Sequence, residues 1–107
     1  MLLLAFPLWS SSRSPLNPPR SRLPELLAAA SAVPTVIVQG TRDRMGAPDE
    51  IAVGLADAGI VGRVVPVPGA DHSFLVPARG PLSEAAALDL IIRSARATAL
   101  GIVDGQY

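Results

Sequence analysis

The sequence has no cysteine, no lysine and a single histidine, and no apolar run long enough to span a bilayer. Each absence removes a class of function. Without cysteine there is no disulfide framework, no thiol nucleophile and no thiolate metal site. With His72 as the sole imidazole, zinc would have to be held mostly by carboxylates, so no metal is expected. The nine basic residues are all arginine and are matched by nine acidic ones, giving a net charge of zero. That balance offers no electrostatic reason to expect nucleic acid or an anionic membrane as a partner. The opening MLLLAFPLW is apolar, but it lacks a basic leader and a small-x-small cleavage site, and it falls well short of the about 20 residues a transmembrane helix needs. It reads as a buried strand, and a cytoplasmic location is expected.

What remains is a chain of 107 residues, half of them apolar, enough for one small core. Residues 2–8 form a continuous apolar run, as in a strand covered on both faces. Residues 10–24 are rich in serine, proline and arginine and predict a loop. A short helix follows from Pro24 to about Ala30, with proline and Glu25 in its first turn. Residues 33–40, β-branched and closed by glycine, give the clearest strand. A second helix starts near Pro48 and ends at Gly59. Residues 64–67 form a short strand. Residues 83–100 predict a last helix with Ala85, Leu88, Ile92, Ala95 and Ala99 as its apolar stripe and Gly101 closing it. Strands alternating with helices define an α/β class with a mostly parallel sheet of about three strands and flanking helices.

Two segments carry candidate chemistry, each just after a strand. Asp43 lies in Gln39-Gly40-Thr41-Arg42-Asp43, and His72 in Gly69-Ala70-Asp71-His72-Ser73-Phe74. In open α/β sheets functional groups gather beyond the carboxyl ends of strands. A carboxylate there can fix the tautomer of an imidazole and stabilise its protonated form during proton transfer. The plainer alternatives are a turn aspartate and an ordinary loop histidine. Asp71 competes with Asp43 as the neighbour of His72, although capping of its own turn suits an adjacent residue better. Arg42 and Arg44 are expected to be solvated or paired with Asp49 and Glu50, and no substrate role is assigned to them. Trp9 is expected to pack in the core rather than line a pocket.

The stretch PTVIVQGTRDRMGAPDE followed by VPVPGADHSF resembles the C-terminal half of the α/β-hydrolases. It is most similar to the dienelactone-hydrolase-like group, in particular the KANL/Tex-type hydrolase-like family. The resemblance covers residues 2–100 and is weakest over 10–24. It implies Asp43 as the acid and His72 as the general base of a serine-type triad, with ester or related acyl hydrolysis of a small molecule and no cofactor. The chain order, acid before histidine, agrees with that family's triad.

The family's nucleophile elbow, G-x-S-x-G, does not occur in the chain. The serines at 10, 11, 12 and 14 stand in a proline-rich stretch without flanking glycines, and the elbow-borne oxyanion donors are missing with the elbow. Residues 1–107 are therefore expected to be a partial α/β-hydrolase domain, inactive alone, whose nucleophile-bearing half is absent. The alternatives are one half of a split hydrolase completed by a partner chain, and a non-catalytic interaction module. In each case an exposed sheet edge predicts self-association or a partner chain.

Overall fold

A computed structural model describes residues 1–9 and 21–99. Strand β1 (Leu2–Leu4), helix α1 (Leu23–Ala32), strand β2 (Val36–Gly40), helix α2 (Pro48–Asp57), strand β3 (Arg63–Val67) and helix α3 (Glu84–Ala99) follow one another along the chain. The strands form one parallel sheet in the order β1-β2-β3. Leu3 stands opposite Ile37, and Ile37 opposite Val64.

The period-2 alternation of β2 sorts the core into two halves. Ile37 packs with Leu26 and Ala30 of α1 and with Ile51 and Leu55 of α2 on one face of the sheet. Val36 and Val38 pack with Val65, Val67 and Ala87 of α3 on the other. Every residue of β2 is buried, as expected of a central parallel strand covered by helices on both faces.

The helix ends follow local chemistry. Pro48 stands in the first turn of α2, and the Glu50 carboxylate accepts from the backbone N–H of the N-cap residue Ala47. At the other end Gly59 adopts a φ of +69°. Its N–H reaches the carbonyl of Ala56 at 3.0 Å, and the N–H of Ile60 reaches that of Leu55 at 3.0 Å. This is the Schellman closure, with Ile60 packed in the same apolar cluster as Leu55. Ser83 caps α3, its Oγ accepting from the Ala86 N–H at 3.1 Å.

Several expectations are corrected. The first strand ends at Leu4 rather than residue 8, because Ala5 takes a φ of +55° and leaves the sheet. It is also partly exposed rather than covered on both faces. The central strand begins at Val36, two residues beyond Pro34. The expected stripe on α3 is not the packed face: Leu88 and Ile92 are 58% and 54% exposed, while Ala87, Leu90 and Ile91 meet the sheet. The physical reason is that α3 is apolar on two sides, so its sequence admits either face. Most of the predicted loop lies outside the described residues, as does the expected closing glycine at 101. At the loop's described end, Ser21 makes an antiparallel bridge to Trp9, and Leu23 already begins α1.

Candidate functional site

The carboxyl ends of β2 and β3 lie side by side, Gly40 opposite Val67, so the segments after them share one edge of the sheet. The first segment turns at once: the Asp43 N–H donates to the Gly40 carbonyl at 3.2 Å. The second bends at Gly69, whose φ is +79°. Three hydrogen bonds sew the two together. Thr41 Oγ1 accepts from the Gly69 N–H at 2.7 Å, the Thr41 N–H donates to the Val67 carbonyl at 3.2 Å, and the Arg42 N–H donates to the Ala70 carbonyl at 2.9 Å.

Gly40 permits this seam. A Cβ there would lie 2.7 Å from the Ala70 carbonyl carbon and 2.8 Å from the Asp71 carbonyl oxygen, and it would run into the Ala70 oxygen itself. Backbone that close cannot yield as a side-chain tip can, so only glycine fits.

Across the seam, His72 Nδ1 meets Asp43 Oδ2 at 2.8 Å. The Asp43 side chain is fully buried, whereas the imidazole is 37% exposed. An ionised carboxylate can only accept, so a neutral imidazole facing it would donate from Nδ1 and keep its lone pair on Nε2. The other carboxylate oxygen, Oδ1, accepts from the Met45 N–H at 2.8 Å.

Gln39 completes the support. Its two Nε2 hydrogens serve the Gly46 carbonyl at 2.7 Å and the Phe6 carbonyl at 2.8 Å, with Asp43 Oδ2 at 3.2 Å sharing one of them, while its Oε1 accepts from the Phe6 N–H at 2.8 Å. This fully buried amide ties the chain leaving β1 to the acid's loop. It stood inside the sequence motif without an assigned role. Its partners are carbonyls and an N–H up to 33 residues away, which no local pattern announces.

Asp71 serves its own turn, with Oδ1 accepting from the N–H groups of Ser73 at 2.9 Å and Leu75 at 3.0 Å. Trp9 packs against the cluster around Ile37 and donates from Nε1 to Glu50 at 3.2 Å. The serines at 10, 11, 12 and 14 lie outside the described residues. Arg42 and Arg44 form no ion pair with Asp49 or Glu50; both line the groove beside His72.

That groove holds about 570 Å³, and Met45, Leu75, Val76 and Pro77 are among its lining residues. A larger hollow of about 800 Å³ opens at the opposite, amino ends of β2 and β3. Among the described residues Arg63 is its only charged lining residue, whereas the smaller groove contains His72. Among the described residues no cluster of histidine and carboxylates could hold a metal ion, and no helix is long and apolar enough to cross a membrane.

A parallel sheet between helices defines an α/β protein, and here an aspartate and a histidine are in contact at the carboxyl ends of neighbouring strands. A family model described as an alpha/beta hydrolase domain matches residues 1–99, and the chain belongs to that family. No curated protein and no solved structure matches the chain.

Proposed function

We propose that Asp43 and His72 are the acid and general base of a serine-type hydrolytic centre acting on an ester or related acyl compound. The observation that carries this reading is the 2.8 Å contact between His72 Nδ1 and a buried carboxylate, with the rest of the ring facing an open groove. In the reaction a serine hydroxyl attacks the acyl carbon while Nε2 of His72 takes its proton. The imidazolium, stabilised by Asp43, then returns that proton to the leaving alkoxide. Water repeats the cycle on the acyl-enzyme. No cofactor enters this scheme.

Because the chain contains no G-x-S-x-G, the nucleophile in this reading comes from polypeptide outside residues 1–107, either continuous with them or on a partner chain. One structural asymmetry favours the β1 edge as the place where that polypeptide docks. β3 carries Pro66, which lacks a ladder N–H and blunts an edge, whereas β1 offers Leu2, Leu3 and Leu4 with neither proline nor charge. A parallel strand added there would end at the same edge of the sheet as His72. The similarity of the QGTRD and GADHSF segments to the dienelactone-hydrolase-like, KANL/Tex-type group supports the same assignment and a cytoplasmic location.

The test is active-serine labelling with a fluorophosphonate. The isolated chain should neither label nor hydrolyse p-nitrophenyl acetate above background. The assembly that the tagged chain forms in its own cells should label on a serine in a G-x-S-x-G segment, and His72→Ala should abolish that labelling. Labelling that survives His72→Ala sinks the reading.

A further inference from the structure

Arg42 and Arg44 flank the acid in sequence and line the groove that contains His72. The backbone of Arg42 is pinned by its N–H to the Ala70 carbonyl at 2.9 Å, so its side chain leaves from the seam between the two loops. Both residues are exposed, and neither is ion-paired with any described residue. Arg93 shows the contrast, held by Asp89 at 2.9 Å one helical turn away. Among the described residues the only carboxylate lining the groove is Asp71, whose Oδ1 already accepts from the N–H groups of Ser73 and Leu75. Met45, Leu75, Val76 and Pro77 supply apolar lining to the same groove. The groove thus combines two arginines, apolar side chains and the imidazole in one lining.

We infer that Arg42 and Arg44 form a binding subsite for an oxyanion carried by the substrate, so that the preferred substrate is an ester with an apolar body and a separate carboxylate or phosphate group. The inference rests on the reading of His72 as the working base. Guanidinium groups match such oxyanions with paired N–H donors, and charge-assisted bonds of that kind are the strong ones. A fixed anion seated on the arginines would hold the scissile carbonyl beside the imidazole, which is how binding remote from the reacting bond becomes orientation.

The test uses the full chain labelled with ¹³C and ¹⁵N. His72 is its only histidine, so one set of imidazole signals reports on the groove. Benzoate, phenyl phosphate and benzyl alcohol are titrated at constant ionic strength. Benzoate or phenyl phosphate should shift the His72 signals saturably and benzyl alcohol should not; the tighter of the two anions identifies the group. Arg42→Gln and Arg44→Gln should each weaken binding about tenfold, and Arg93→Gln should leave it unchanged. Benzyl alcohol matching the anions, wild-type binding by the Arg42→Gln/Arg44→Gln double variant, or equal loss in Arg93→Gln overturns the subsite. The dyad is tested separately, because Asp43→Asn should move the imidazole nitrogen shifts with no probe present.

Discussion

At the scale of single residues, the amide of Gln39 holds together Phe6, Asp43 and Gly46, from three stretches of the chain. Gln39→Leu keeps the volume but removes every one of these bonds and strands buried polar groups. Each such group costs about 1–3 kcal/mol, so urea unfolding should show a loss of at least about 2 kcal/mol. Gly40→Ala acts differently. It forces the Ala70–Asp71 backbone away from β2 and with it His72 from Asp43. The imidazole ¹⁵N shifts should then resemble those of Asp43→Asn, and an unchanged spectrum would mean the seam can relax. Asp43 and His72 were legible in the sequence because each sits in a short local motif after a strand. Gln39 and Gly40 lay in the same motif, but their duties depend on Phe6 and Ala70 across the fold, and local spacing does not encode such contacts.

Elements were legible to different degrees for a physical reason. β2 is apolar, β-branched and buried on both faces, so composition and environment agree. The run at residues 2–8 is equally apolar, yet only three residues pair, because apolarity predicts burial and not hydrogen bonding. α3 posed the harder problem, since two of its faces are apolar. The packed face makes a sharp prediction: Ala87→Leu, at a position 2% exposed, should overpack the sheet and cost about 1–3 kcal/mol. Leu88→Glu, on the exposed face, should change stability by no more than about 0.5 kcal/mol. Thermal or urea unfolding of the two variants decides which face is inside, and the reverse order would restore the stripe read from the sequence.

For the whole molecule, the buried apolar residues fall into two half-cores, and Ile51 belongs to one of them, fully buried. Ile51→Ala should cost about 2–5 kcal/mol in urea unfolding, which is a large fraction of the stability of a domain this size. The open flank at β1 makes a separate prediction. Leu4 is half exposed there, and Leu4→Lys should reduce association in size-exclusion chromatography without moving the unfolding midpoint. Association that persists undiminished would place the contact elsewhere.

The contrast between that flank and the proline on β3 also limits how far the sheet can grow. Were two copies to meet along β1, the described strands would form a six-stranded sheet about a two-fold axis, and each outer margin would be a strand carrying Pro66. Neither margin would supply a full ladder for a third copy, so such an assembly would close at the dimer instead of propagating into a fibre.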